Sequence, residues 1–311
     1  MVSQGIEDTE VPGAPTTAPP TVPSGDDVRQ DVGFYALALR KLRRHRPAMI
    51  SVVVLLLISL AALVGPFLLP AAWDGPDLYH QFSPPGFPHL LGTDELGRDL
   101  LLRVLSGGRV SIMVGLLATV VTILAGVSVG TIAGYAGGWL DNVLMRFTDA
   151  MLAIPAIFLL ILISTSFGQT PTVIILAIGF TAWPQTARII RSVVLSVREK
   201  EYVEAARAMG SGHLKIVLRH ILPHALGDIV VAATLSIGTA ILTESTLSYL
   251  GLGIGPPIAS WGSTLFHAQQ FIWDAPYYAL FPGTMILLTV LCINFMGDGL
   301  RDAFDPRAFE R

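Results

Sequence analysis

The chain has 311 residues, 52% hydrophobic and only 14% charged, with a mean hydropathy of +0.62. About a quarter of the residues in a soluble domain are charged, so this composition excludes an ordinary soluble globular protein. The net charge of -3 is uninformative as a total, and the single cysteine, Cys292, sits in an apolar run, which leaves no intrachain disulfide and argues against a cysteine metal site.

Residues 1–33 are rich in Pro, Thr, Gly and acidic side chains. They cannot bury a core and are expected to form a disordered cytoplasmic tail. A basic segment followed directly by an apolar stretch is missing, so this is not a signal peptide. Residues 34–48 form a basic juxtamembrane segment, in which Arg40, Lys41, Arg43, Arg44 and Arg46 precede the first apolar run. Beside a membrane span such a cluster reads as a topology signal rather than a nucleic-acid patch.

The first predicted span, 49–69, is 21 residues without a charge, enough for a bilayer core of about 30 Å. Five more are expected at 110–134, 150–167, 172–194, 229–250 and 280–296. Pro155 and Pro184 should kink the third and fourth, and Arg188 and Arg191 should snorkel to the interface. The predicted fold class is thus an all-α membrane protein with six transmembrane helices. Six spans put both termini on one side. That side, with the interfacial arginines, carries 17 of the 20 Lys and Arg, and Arg98, Arg103 and Arg109 lie opposite. The positive-inside rule places both termini in the cytoplasm.

The extracytoplasmic loop 70–109 contains Asp94, Glu95 and Asp99 against three arginines, and Leu100, Leu101, Val104 and Leu105 predict a short amphipathic helix there. Arg98 with Asp99, and Arg146 with Asp149, are candidate ion pairs. Glu244 has two readings, a pathway or gating group at membrane depth or an interfacial residue hydrogen-bonded by Thr243 or Ser245. The last outer loop, 251–279, is aromatic, lacks Lys and Arg, and should hold a short helix near 260–270. It suits an aromatic belt.

The stretch 201–223, EYVEAARAMGSGHLKIVLRHILP, interrupts the apolar pattern without losing helical periodicity. Tyr202, Ala206 and Met209 share one face, as do Leu214, Val217, Leu218 and Ile221. Gly210-Ser211-Gly212 separates two short amphipathic helices, and Pro223 is expected to close the second. Periodicity alone allows a membrane-surface pair meeting lipid headgroups or a knob entering a cytoplasmic partner's groove. A G-x-x-x-x-G-K-[ST] phosphate loop, HExxH, CxxC and G-x-S-x-G are all missing from the sequence. No catalytic centre is readable, and if ATP drives this protein another subunit must bind it.

Glu204-Ala205-Ala206, then Gly210, then Leu222-Pro223 resemble the signature loop of ABC importer permeases, with His220 where that signature has Ile. Gly92-Thr93-Asp94-x-x-Gly97-Arg98-Asp99 and Gly297-Asp298-Gly299-Leu300-Arg301-Asp302 with Asp305-Pro306-Arg307 resemble the C-type subunit of dipeptide and oligopeptide permeases. The resemblance covers about residues 34–307. It implies the type I ABC importer permease fold, with a core at 110–300, a coupling-helix loop at 199–223 and a cytoplasmic C-terminal tail at 301–311. It also implies a bacterial inner-membrane transport subunit that is not itself an enzyme and holds no cofactor or metal. The partners it implies are a second related permease (a heterodimer), two ABC ATPase subunits binding ATP and Mg, an extracytoplasmic peptide-binding protein that touches the last outer loop, and membrane lipid. Glu204, Ala205, Ala206, Gly210, Leu222 and Pro223 are the implied coupling residues. Peptide is the implied cargo. Nickel or another small solute within the same family, and an ion-gradient secondary transporter, are the competing readings.

Overall fold

The computed structural model describes residues 34–304 as a helical bundle with two ends, called here the base and the rim. The expected disorder of 1–33 and the motif residues Asp305, Pro306 and Arg307 lie outside the described residues. α1 (Phe34–Arg44) meets α2 (Arg46–Leu68) at the base, where His45 Nδ1 accepts the Ala48 N–H at 3.2 Å. Pro47 fits the first turn of α2 because its missing N–H would have no helical acceptor there. Only Ala48, Ser51, Ile58 and Ala62 of α2 are buried, and Ile50, Val53, Leu57, Leu60 and Phe67 point outward. An apolar helix with an outward apolar face is solvated by lipid.

At the rim, residues 69–99 make a compact loop that leads into α3 (Leu100–Ala136). The Asp99 carboxylate caps α3 by accepting the Leu102 N–H at 2.9 Å. The expected short amphipathic helix is therefore the first turns of one continuous 37-residue helix, about 55 Å long. α3 is the central element. It lies along α6 (Pro171–Arg198) and α9 (Leu222–Tyr249), while α11 (Pro276–Phe304) packs on α9 and α2. A Cβ on Gly130 would come 2.5 Å from the Ala187 carbonyl, so the α3 and α6 backbones are in near contact at that level.

After Gly137, whose φ of +66° suits only glycine well, α4 (Gly138–Ala153) leaves the base. The third expected span is not one kinked helix. It breaks at Ile154-Pro155, and α5 (Ala156–Phe167) continues at 82° to α4. Pro184, by contrast, stays inside a continuous α6. α7 (Glu201–Ala208) and α8 (His213–Ile216) form a hairpin at the base, and a wide π turn, Val217–Ile221, joins α8 to α9. Pro223 does not close the second short helix; it sits in the first turn of α9, where a proline is tolerated. α10 (Trp261–Ala268) lies at the rim in the last loop. α11 runs to Phe304, so the first residues of the expected C-terminal tail are helical.

Among the described residues five helices are long and apolar enough to cross a bilayer, and the bent α4–α5 pair, taken as one span, makes a sixth. Alternation along six spans matches the contacts at the two ends. α1 and the N-terminus of α2 meet the C-terminus of α11 at the base, and the C-terminus of α5 meets the α9–α10 loop at the rim through the Gly255 N–H to the Gln169 carbonyl, 3.1 Å.

Candidate functional site

The hairpin is fixed from above and open below. Val203, Ala206, Ile216 and Ile221 are buried against Ile190, Val194 and Val197 of α6. This corrects the face expected from 3.6-residue spacing, since Tyr202, Met209, Leu214 and Leu218 are all exposed. The π turn is the reason for the second half. Its extra residue per turn brings Ile216 and Ile221, five apart, to one side. His220, the loose position of the motif, is half-buried within that turn.

Between α7 and α8 the chain reverses through Gly210 at φ +78°. The Ser211 N–H donates to Ala206 O at 3.1 Å and the Gly210 N–H to Arg207 O at 3.0 Å, the paired bonds of a helix-ending turn that needs a left-handed residue. Glu204 and Ala205 are exposed, Ala206 is buried, Leu222 is half-buried and Pro223 is exposed. The structure thus gathers Glu204, Ala205, Ala206 and Gly210 on one knob and leaves Leu222 and Pro223 at the root of α9.

Three residues that the sequence pattern did not single out hold the knob in place. Arg198 donates to the carbonyls of Gly134 and Tyr135 at 3.1 and 3.2 Å, neutralising the C-terminus of α3. Tyr135 hydrogen-bonds His213 Nδ1 at 2.8 Å. These residues, with Glu199, Glu204 and Arg207, line a cleft of about 640 Å³. Partial desolvation raises the Tyr202 hydroxyl above its ordinary pKa, and its ring stacks on His224, 5.2 Å away.

The arginines expected to snorkel find carboxylates instead. Arg191 grips Asp141 of α4 with two bonds, at 2.5 and 2.6 Å, and Arg188 pairs with Asp149. Asp149 is therefore not the partner of Arg146.

Glu244 is fully buried within the protein, five residues before the rim end of α9 at Tyr249. It accepts from Ser111 of α3 at 3.0 Å, Ser248 at 2.8 Å and Ser245 at 3.4 Å. Ser111 Oγ also receives the Trp261 N–H at 3.2 Å, so the carboxyl ties α9 to α3 and, through Ser111, to α10. Thr243 instead bonds the Thr239 carbonyl.

At the rim, Asp94 is buried and accepts from the Leu96 and Arg98 N–H groups at 2.9 Å each and from Arg98 Nε at 2.7 Å, with Arg103 Nε 3.4 Å away. Asp99 faces His89 Nδ1 at 2.9 Å. Arg98 therefore pairs with Asp94, not with its neighbour Asp99. Glu95 receives the Tyr278 hydroxyl and lies 3.6 Å from His267. This motif fastens the first outer loop to α3, α10 and α11.

A family described as the binding-protein-dependent transport system inner membrane component matches residues 126–310, and the N-terminal TM domain of oligopeptide transport permease C matches 33–85. The oligopeptide transport system permease protein OppC of Escherichia coli K12 is 43% identical over 272 residues, 87% of this chain and 90% of that protein. The dipeptide transport system permease protein DppC of Alkalihalophilus pseudofirmus is 38% identical over 291 residues, 94% of this chain and 96% of that protein. The fold resembles inward-facing structures of the MetNI methionine ABC transporter, with a TM-score of 0.56 at 21% identity over 66% of this chain and 96% of that one.

Six spans, a hairpin at the base and this structural likeness define the permease fold of type I ABC importers. The chain belongs to the binding-protein-dependent transport permease family, in its oligopeptide permease C branch. Members of that family are multi-pass inner-membrane subunits that work with ATPase subunits and a binding protein, and they are not themselves catalytic.

Proposed function

We propose that this chain is one half of the translocation pathway of a peptide-importing ABC transporter, driven through the α7–α8 hairpin. The observation that carries the coupling role is the hairpin's division of labour. Four apolar residues lock it to α6, while Tyr202, Met209, Leu214 and Leu218 stay exposed beside Glu204 and Arg207. A short amphipathic helix with a free apolar and charged side fits a groove on a protein partner. That partner is a pair of ATPases that bind ATP and Mg. Their closure pushes the hairpin, and α6 with it, to switch the cavity between its two openings. Glu204, Ala205, Ala206 and Gly210 make or shape this contact, and Leu222 and Pro223 set the root of α9.

The remaining partners are a second, related permease that completes the pathway, lipid around α2, and an extracytoplasmic binding protein at the rim. Both termini and the hairpin face the cytoplasm, in keeping with 17 of 20 basic side chains on that side. Peptide as cargo follows the printed functions of the relatives. The test is reconstitution of the four membrane-associated subunits with the binding protein in proteoliposomes. ATP-dependent accumulation of labelled di- to pentapeptides is expected. Accumulation of nickel but not peptide would replace the cargo, and uptake driven by an ion gradient without ATP would replace the mechanism.

A further inference from the structure

The first two helices carry a cluster of positive charge that the coupling role leaves unused. On α1, Leu39, Arg40, Arg43 and Arg44 are exposed, whereas Lys41 and Leu42 are half-buried. At 3.6 residues per turn the four exposed positions fill one continuous arc of about 140°, and the other two lie on the opposite side.

That opposite side is pinned to α11. Lys41 Nζ donates to the Asp302 carbonyl, and His45 Nε2 lies 3.9 Å from the Asp302 carboxylate. A Cβ on Gly299 would come 2.5 Å from Ala48 Cβ and 3.2 Å from Leu42 Cδ1, so α1 and α2 press directly on the α11 backbone. The exposed arc is therefore held in one orientation.

Elsewhere in the fold arginines find partners within the chain. Arg98, Arg103, Arg188 and Arg191 each reach a carboxylate, and Arg198 reaches two carbonyls. Among the described residues, Arg40, Arg43, Arg44 and Arg46 have no ion-pair partner. Four guanidiniums so close together repel one another and attract an anion.

The chemistry of that anion follows from α2. Arg46 stands in line with Ile50, Val53 and Leu57, at i+4, i+7 and i+11, and all four are exposed. The row runs about 16 Å from its charged end, close to half of a bilayer core of about 30 Å. A basic end continuous with an apolar row one leaflet deep is complementary to a phospholipid. Guanidinium groups hold phosphate oxygens in pairs, and the exposed Leu39 suits a helix lying in the interface. Free phosphate would use the charged end alone.

We infer that the exposed arc of α1 and the base end of α2 form a site for an anionic phospholipid. The arginines clamp its phosphodiester, and an acyl chain lies along Ile50, Val53 and Leu57. This rests on the permease reading above, in which α2 faces lipid.

The test uses the assembled transporter in phosphatidylcholine nanodiscs. Phosphatidylglycerol or phosphatidylcholine carrying a photoactivatable diazirine on its acyl chain is added at equal mole fraction, and labelled residues are mapped by mass spectrometry. The phosphatidylglycerol probe should label residues 39–57 at least about fivefold more than the phosphatidylcholine probe. Arg40→Gln, Arg43→Gln, Arg44→Gln and Arg46→Gln together should bring the two probes level. Because these arginines also favour correct insertion, the parent protein supplies a second arm: raising salt from about 0.05 to about 0.5 M should erode the preference. Equal labelling by the two probes in the parent, labelling by neither, or a preference that survives either treatment would overturn the site. The readout does not require transport. A preference seen in a complex that takes up no peptide keeps the lipid site and sinks the peptide reading, and peptide uptake without the preference does the reverse.

Discussion

At the rim, Thr93, Asp94 and Asp99 are fully buried, and every one of them is bonded to the protein itself. At the base, Glu204, Arg207, Met209 and Leu214 stand exposed, the first two lining a cleft, and only their neighbours are tied down. Both regions are motif-rich and mix charge with apolar side chains. The difference lies in where the bonding capacity goes. Rim groups spend it inward, which makes a fastening; base groups keep it outward, which leaves the open face that the proposed docking role requires. A signature motif in sequence does not say which of the two it is.

The sharpest way to break the comparison is at Gly210. Gly210→Pro cannot adopt φ +78° and removes the N–H that bonds Arg207 O. ATP-driven uptake should fall at least about a hundredfold, near 2.7 kcal/mol of coupling, with membrane insertion unchanged by protease protection. Glu204→Arg with Ala205→Glu should do the same without touching the turn, and normal uptake in both would remove the docking role. At the rim the expected damage is to stability. Asp94→Ala leaves Arg98 only Glu95 at 3.5 Å and the buried Arg103 only Asp74 at 4.0 Å, costing about 3 kcal/mol, read as a lower unfolding temperature in detergent, whereas hairpin variants should unfold like the parent.

Glu244 separates fastening from pathway chemistry inside the bundle. Glu244→Ala leaves three hydroxyls without their acceptor and a cavity behind, costing about 2–4 kcal/mol. Glu244→Gln retains an oxygen acceptor and the volume, and should restore most of the stability and uptake. A glutamine variant that is stable yet inactive would mark Glu244 as a pathway group instead. The smallest effect is expected at Asp77. Hydrogen bonds from His80 and the Tyr79 N–H hold its carboxyl below the usual carboxylate range. A depressed folded value means the contact contributes at neutral pH and is lost as pH falls through that value. Because the Asp77 side chain is nearly half-exposed, Asp77→Asn should leave the neutral-pH unfolding temperature nearly unchanged and flatten only its acid limb.

The spans were legible because apolar runs of membrane length have few alternatives. The α4–α5 break was not, since Pro155 and Pro184 look alike in sequence. Pro184 is buried in α6 among α3 and its neighbours, which keep the helix whole, whereas Pro155 is exposed and the chain there turns. The hairpin turn was readable from Gly210. Its buried face was not, because a π turn shifts the count by one and moves Ile216 and Ile221 inward while Leu214 and Leu218 move out. The rim network was hidden for another reason. Tyr278 meets Glu95 from 183 residues away and Arg103 reaches back to Asp74 and Asp94, and no local spacing announces these contacts.

The near contact of α3 and α6 at Gly130 has a mechanical corollary. Two helices pressed backbone to backbone slide poorly past one another and tilt as a pair. α6 runs straight into the hairpin, and α3 spans about 55 Å from the Arg198 clamp to the Asp99 cap. A rotation of about 5° at the base thus sweeps the far end of this lever through about 5 Å. The displacement is comparable to half the width of a helix, and it arrives at the knot of charges that seats the first outer loop. Under the coupling role proposed above, a push from the ATPase side and a rearrangement on the binding-protein side are two ends of one stroke.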